Sequence, residues 1–144
     1  MKKIFLVMLF FLVTISYSQE WRTNFETAKT EAAKQNKNIL LVFSGSDWCG
    51  PCIKLDRDIW KSMEFIEFAN NNLILERADF PKKKQNQLST EIRKMNQSLA
   101  EKYNKDGMFP LVIVLDKNGK VLGKTAYKKV SPTEYIALLK SFIK

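Results

Sequence analysis

Continuous apolar runs divide the chain and predict its strands. The run "NILLVF" at residues 38–43 has the length of a strand and no polar alternation. That pattern is typical of a strand buried on both faces, at the centre of a sheet covered by helices. "NLILERADF" (72–80) and "FPLVIVLD" (109–116) predict two more strands. The Asn-Gly pair within residues 117–120 then predicts a hairpin that returns through "VLGKTAY" (121–127).

Apolar residues at helical spacing predict five helices around these strands. They are expected at residues 24–36, at 49–60, after an N-cap at Ser62, at 86–103 and at 131–144. The inward-facing residues are expected to be Phe25, Ala28, Ala32 and Ala33; Ile53, Ile59 and Trp60; Phe65, Ile66, Phe68 and Ala69; Leu88, Ile92, Met95, Leu99 and Tyr103; and Tyr135, Ile136, Leu138, Leu139 and Phe142. Strands separated by helices imply parallel pairing, and the final hairpin adds an antiparallel pair. We therefore expect an α/β fold, a three-layer α/β/α sandwich with a central mixed sheet.

The N-terminal stretch has the pattern of an export signal. Two lysines precede an apolar run at residues 4–15, and the small residues Ser16 and Ser18 follow. This order is typical of a secretory signal, and the run is shorter than the roughly 20 residues of a membrane span. An uncleaved anchor is the alternative. We expect a signal peptide at residues 1–18, cleaved near Ser18, and one domain at 19–144 in the periplasm or outside the cell.

Composition excludes several classes of site. The 144 residues include no histidine and only two cysteines. His-ligated zinc, a Ser-His-Asp triad and a four-cysteine metal centre are therefore excluded within this chain, and we expect neither a metal nor a cofactor. The formal net charge is +9, but the lysines are spread, and Lys82–Lys84 is the one tight run. A solvated surface explains them better than a nucleic-acid partner, which we do not expect.

The two cysteines lie together in "WCGPC", as Cys49 and Cys52. A structural disulfide is a weak explanation, since it would close a very small loop and remove little unfolded-state entropy. A metal site would need further ligands. Redox chemistry is favoured instead, because Cys49 stands where a buried strand meets a helix whose first turn accepts Pro51. The positive helix N-terminus lowers the pKa of such a thiol. We expect Cys49 to be the exposed nucleophile and Cys52, one turn deeper, to be the shielded resolving thiol.

"WCGPC" after a buried apolar strand, with "MFPLVIVLDKNGKVLG" downstream, resembles the thioredoxin family. The resemblance extends from about residue 24 to the end of the chain. "NILLVFSGSDWCGPC" and "RADFPKKK" are similar to exported, Bacteroidetes-type thioredoxin-like proteins and to periplasmic thioredoxin-like domains of membrane reductant relays. The resemblance implies a thioredoxin-like fold and a redox disulfide between Cys49 and Cys52.

The resemblance also implies roles for residues around the cysteines. Pro110 falls where thioredoxins carry a cis-proline, and the backbone of Phe109 would pair with an extended substrate segment. A trans proline that begins a strand is the alternative. Trp48 would offer a flat docking surface beside the nucleophile, unless it merely packs in the core. Gly50 and Pro51 would support the pair.

The sequence departs from the family in two places. Thioredoxins usually carry a buried Asp before the motif as a proton acceptor, and here Val42 or Phe43 takes that position. The proton of Cys52 would then pass to water, to Asp47, to Glu76 or to another nearby carboxylate. Residues 80–98 are also longer than a minimal thioredoxin needs. They either shape a partner surface or form an insertion without a role.

The expected function is a thiol–disulfide oxidoreductase that acts on protein or peptide disulfides through Cys49 and Cys52. Gly-Pro between the cysteines is typical of reducing members, so an exported monomer would need a membrane reductant partner. An oxidase or isomerase, a dedicated maturation factor and a non-catalytic binding module are the alternatives.

Overall fold

The computed structural model describes residues 19–143, and the export signal expected at residues 1–18 lies outside this range. The strands are β1 (Trp21–Arg22), β2 (Asn38–Ser44), β3 (Leu73–Asp79), β4 (Leu111–Leu115) and β5 (Val121–Thr125). The helices are α1 (Phe25–Gln35), α2 (Gly50–Leu55), α3 (Met63–Asn72), α4 (Thr90–Tyr103) and α5 (Pro132–Phe142). Within this range, no helix has the length and apolarity to cross a bilayer.

The five strands form one mixed sheet in the order β1-β3-β2-β4-β5. β2 lies at its centre, parallel to β3 and antiparallel to β4, and β4 continues into β5 through the predicted hairpin. Gly119 in that hairpin has a φ of 86°, a left-handed conformation that glycine adopts without strain. The mixed sheet and the fold class are as expected. The two-residue β1, parallel to β3, was not predicted, because so short a strand leaves no periodic signal.

Strand alternation divides the core between the two faces of the sheet. Leu40 and Val42 of β2 lie in one buried cluster with residues of α2, α3 and α5. Ile39, Leu41 and Phe43 lie in the other, with residues of α1 and α4. Both sets of β2 side chains are thus removed from water, which explains the continuous apolar run. The prediction of a central strand covered on both faces is confirmed.

Polar caps determine where several helices begin. Ser131 and Glu134 form the predicted capping box of α5, and Ser62 accepts the N–H of Phe65 at the start of α3. The helix expected from residue 86 begins later, because Ser89 caps α4 by accepting the N–H of Ile92. Residues 84–86 form a separate single turn of 3₁₀ helix.

Two residues expected in the core are exposed. Ala33 lies on the outer side of α1, and Ile53 of α2 is 46% exposed. Leu55 is buried instead, with the correctly predicted Ile59 and Trp60. The cause is a wide turn at Asp56–Trp60, closed by a bond from the N–H of Lys61 to the carbonyl of Asp56. Such an i→i+5 turn brings Trp60 onto the face of Leu55, whereas a regular α-helix separates residues five apart.

Glu76 is a charged residue inside the sheet. It lies in β3 between Leu75 and Arg77 and is fully buried. Leu75 faces α2, whereas Ile74 and Ala78 face α1 and α4, so alternation directs Glu76 away from α2. Burial raises the pKa of Glu76 to about 8, and the Arg22 charge and the Asn24 N–H oppose this shift. Glu76 therefore does not face the cysteine-bearing helix, and we discard it as the proton acceptor for Cys52.

The buried carboxyl of Glu76 makes the stability of the fold depend on pH. The unfolded chain ionises near the ordinary Glu pKa, while the folded chain keeps the proton until about pH 8. The free energy of unfolding is therefore highest below the ordinary Glu pKa and falls as the pH rises toward 8. We expect Glu76→Gln to remove this loss, on the order of 3 kcal/mol between pH 5 and pH 8. Urea unfolding of wild type and variant at both pH values measures it.

Glu67→Gln is the matched control, because it removes an exposed carboxylate from α3. That variant should keep the wild-type dependence of stability on pH. Parallel pH profiles for wild type and Glu76→Gln would contradict the assignment.

Candidate active site

A tight turn leads from the central strand β2 into α2. The N–H groups of Trp48 and Cys49 donate to the carbonyl of Gly45, at 3.2 and 2.9 Å. Gly45 is buried, and a side chain there would collide with the ring of Trp48. The ring can therefore fold back over the turn only because residue 45 is glycine. This arrangement delivers Trp48 and Cys49 together at the carboxyl end of β2.

Cys49 and Cys52 are joined by a disulfide, with their Cα atoms 5.2 Å apart. Cys49 is the N-cap residue of α2, and its Sγ accepts the N–H of Cys52 at 3.3 Å. Gly50 and Pro51 form the exposed first turn between them. The expected difference in exposure is wrong for this oxidised form, since both cysteines are 4% exposed. Because Cys49 caps the helix, its sulfur is turned inward, where it accepts the N–H of Cys52 and is bonded to the sulfur of Cys52.

Trp48 lies on the surface beside the disulfide and is held by three contacts. Its Nε1 donates to the carbonyl of Phe80 at 2.7 Å, and its ring meets Phe109 edge-on at 5.4 Å between centroids. The Nζ of Lys82 lies 4.0 Å from the ring centroid, a cation–π geometry. The indole is 39% exposed, so it presents a surface rather than filling the core.

The loop before β4 brings Phe109 against this surface. The peptide bond between Phe109 and Pro110 is cis, and Pro110 is buried. The side chain of Asn104 holds the loop by two hydrogen bonds to Met108. Its Nδ2 donates to the carbonyl of Met108, and its Oδ1 accepts the N–H of Met108, both at 2.9 Å. This role could not be predicted from the sequence, because a single Asn after a helix predicts only a cap.

The Asp47 carboxylate fastens a second loop to the same turn. It accepts the N–H groups of Lys82 and Lys83 at 2.9 Å each and the Nδ2 of Asn86 at 3.0 Å. The bond from the Lys82 N–H is the largest influence that lowers the pKa of Asp47. The carboxylate is thus used in holding residues 82–86, which makes Asp47 a positioning residue rather than the proton acceptor considered from the sequence.

No carboxylate replaces the missing Asp beneath the cysteines on the strand. Val42 lies in the cluster with Leu55 of α2, while Phe43 faces the other side, so Val42 takes the position. Asp56, one turn after Cys52, is bound to Lys61 at 2.7 Å and Arg77 at 2.9 Å. Although burial opposes them, these contacts hold the pKa of Asp56 below its usual range. A carboxylate kept ionised in this way is a poor acceptor for the proton of Cys52.

The arrangement therefore consists of a dithiol pair, an aromatic surface and a buried cis-proline on three elements that meet at one edge. Within residues 19–143, no three His, Cys, Asp or Glu side chains lie close enough to hold a metal ion. The chemistry that the pair itself supports is thiol–disulfide exchange.

Comparison with known proteins agrees with this geometry. The "Thioredoxin-like" family model matches residues 20–117. "Disulfide bond reductase DsbH" of Chlamydia pneumoniae is 35% identical over 125 residues, which cover 87% of this chain and 73% of that protein.

Solved structures extend the likeness to the fold. A "DsbH Oxidoreductase" structure is similar at a TM-score of 0.79 and 34% identity, covering 86% of this chain and 83% of that chain. A disulphide isomerase from Xylella fastidiosa has a TM-score of 0.63 at 20% identity, covers 83% of this chain and 88% of that one, and supports the fold alone. The matched family model, the DsbH relatives and the cysteine pair agree, and the chain belongs to the thioredoxin-like family of thiol–disulfide oxidoreductases.

Proposed function

We propose that this protein reduces disulfides in exported proteins, with Cys49 as the nucleophile and Cys52 as the resolving thiol. The observation that carries the proposal is the Cys49–Cys52 disulfide, formed at the start of α2 and flanked by Trp48 and the Phe109–Pro110 loop. The reductase named in a relative with 35% identity supports the reducing direction.

The first step uses the capping geometry of Cys49. In the oxidised structure, the N–H of Cys52 donates to Sγ of Cys49. In the reduced protein, the same N–H donates to the Cys49 thiolate, and this charge-assisted bond stabilises the thiolate. The thiolate attacks one sulfur of a substrate disulfide. A bond forms between Cys49 and that sulfur, the substrate S–S bond breaks, and the other substrate sulfur leaves as a thiolate.

The second step releases the substrate. Cys52 loses its proton and attacks Sγ of Cys49, which forms the disulfide of the structure and expels the second substrate thiolate. The substrate gains two electrons and the Cys49–Cys52 pair loses two. Since Val42 stands where a carboxylate would help, water takes the proton of Cys52. The rate of this second step should then increase with pH, because no nearby base takes the proton of Cys52.

The Phe109–Pro110 loop and Trp48 position the substrate. We assign the backbone of Phe109 to pairing with an extended substrate segment, and Pro110 lacks an N–H that would compete for the sulfurs. Trp48 provides the flat surface on which the segment rests. Gly50 and Pro51 form the exposed first turn of α2, and a Cβ at Gly50 would meet no atom within 4 Å, so this turn leaves open space for the approaching substrate.

Each turnover oxidises the protein, so a dithiol donor must reset it. We propose that the mature chain, residues 19–144, is a monomer that works outside the cytoplasm and receives electrons from a membrane reductant relay. The export-signal pattern of residues 1–18 supports this location. The mass of the exported protein after expression of the full chain tests cleavage after Ser18.

Replacing the resolving thiol tests the assignment of roles. Cys52→Ser should accumulate a mixed disulfide between Cys49 and substrate, because nothing attacks the Sγ of Cys49. Non-reducing gels and mass spectrometry after incubation with insulin measure the trapped species. Cys49→Ser is the matched control and should trap none. Absence of a trapped species, with no insulin reduction by wild type, would contradict the function.

The reduction potential tests the direction. We expect a value near the about −270 mV of thioredoxin, because Gly-Pro separates the cysteines as in reducing members. Equilibration of the purified mature protein with glutathione buffers, followed by quantification of the free thiols, gives the potential. A value at or above the glutathione potential would favour an oxidase or isomerase instead.

A further inference from the structure

A groove of about 510 Å³ opens beside the disulfide, between the active-site aromatic residues and α4. Trp48 and Phe109 form the side nearest the cysteines. Phe80 and Pro81 continue this apolar surface, and Arg93 and other residues of the first half of α4 form the opposite side. Most of these residues belong to the 80–98 segment, whose length the thiol chemistry does not require.

The groove is already built in the oxidised protein. Besides the bonds of Asp47 and Trp48 described above, the N–H of Phe80 donates to the carbonyl of Ser44 at 2.8 Å. The Nε2 of Gln87 donates to the carbonyl of Pro81 at 2.9 Å. A ligand would therefore meet a formed surface and would not have to order these loops on binding.

The groove contains an unused buried acceptor. Asn96 lines it and is only 1% exposed. Its Nδ2 donates to the carbonyl of Asp79 at 2.8 Å, but its Oδ1 has no donor among the described residues. A buried polar atom without a partner is costly in a folded protein and needs an explanation. A peptide N–H that reached this oxygen would supply the missing donor.

The rim of the groove is positively charged. Lys82 and Arg93 both line it, and neither forms a salt bridge with a carboxylate of residues 19–143. Asp79 also lines the groove and carries a negative charge, which the N–H and hydroxyl of Ser46 bind but do not neutralise. Two cations against this one carboxylate leave the groove lining with a net charge of +1, which favours an acidic partner.

We propose that this groove binds an acidic segment of the protein substrate next to its reacting cysteine. An apolar side chain of the segment packs on Phe80 and Phe109, a carboxylate faces Lys82 and Arg93, and a backbone N–H donates to Asn96. This inference rests on the proposed function and specifies its substrate class, proteins whose disulfides are flanked by acidic residues.

The test compares synthetic peptides that contain one intramolecular disulfide and differ only beside the cysteines. One carries Glu-Phe there, the second Gln-Phe and the third Lys-Phe. Wild type should reduce the Glu peptide with a kcat/KM about fivefold above that of the Gln peptide. The double variant Lys82→Gln/Arg93→Gln should bring this ratio close to one, and Lys82→Glu/Arg93→Glu should favour the Lys peptide.

Lys83→Gln/Lys94→Gln is the matched control. It removes the same charge from the same two segments, but neither side chain lines the groove, so the wild-type preference should remain. Equal kcat/KM values for the Glu and Gln peptides in wild type would overturn the proposal, as would a preference that survives in Lys82→Gln/Arg93→Gln.

Calorimetry separates this proposal from the proposed function. The same peptides, reduced and alkylated at sulfur, cannot undergo exchange, and their binding to the oxidised wild-type protein is measured directly. Tighter binding of the Glu peptide, lost in Lys82→Gln/Arg93→Gln, supports the groove even if no peptide is reduced. Equal binding of the Glu and Gln peptides contradicts the groove, whatever the activity.

Discussion

The turn between β2 and α2 is the constraint on which the rest of the site depends. Within residues 45–49, the buried Gly45 accepts two N–H bonds and allows Trp48 to fold over it. Asp47 then holds residues 82–86, and Cys49 caps α2 with its sulfur. One short turn therefore determines the position of the nucleophile, the aromatic surface and the neighbouring loop. Movement of any one of these groups would strain the bonds to the others.

The hydrogen bonds at this turn stabilise a thiolate at Cys49, but no carboxylate there serves as a base for Cys52. The Cys52 N–H points at the Cys49 sulfur, so the first thiolate has a donor before any substrate arrives. The resolving thiol has no comparable help, because Val42 is apolar and Asp56 is held ionised by Lys61 and Arg77. The two cysteines thus differ in their immediate electrostatic surroundings, although their exposure in the disulfide is the same.

Much of the fold could be predicted because its signal is hydrophobic periodicity. The continuous run of β2, the hairpin at Gly119 and the capping box of α5 were all found where expected. The error at Ile53 has a physical cause, since no sequence pattern announced the wide turn that rotates Trp60 onto the face of Leu55. Periodicity assumes a regular helix and fails where the helix is not regular.

The site was less predictable, because much of it is held by polar residues. The cysteine motif and Pro110 were visible as a family pattern, but Asp47 and Asn96 act through bonds to distant backbone, and Asn104 acts through bonds to Met108 across a loop. Nothing along the chain shows which carbonyl or N–H a buried amide will meet. A long segment such as 80–98 therefore looks like a dispensable insertion until its partners are known.

The hydrogen bonds of the 80–98 segment join it to the turn that carries the redox pair. The 80–98 segment is bonded to the β2–α2 turn through Asp47 and Trp48 and to the end of β3 through Asn96. The side chains of Lys82 and Arg93 form none of these bonds, although the Nζ of Lys82 lies 4.0 Å from the centroid of the Trp48 ring. Changes at Lys82 or Arg93 can therefore alter which disulfides are bound while the capping of Cys49 stays the same. The choice of substrate would then rest on Lys82 and Arg93 and the exchange chemistry on the two cysteines, while Trp48 and Phe109 belong to both the groove and the active site.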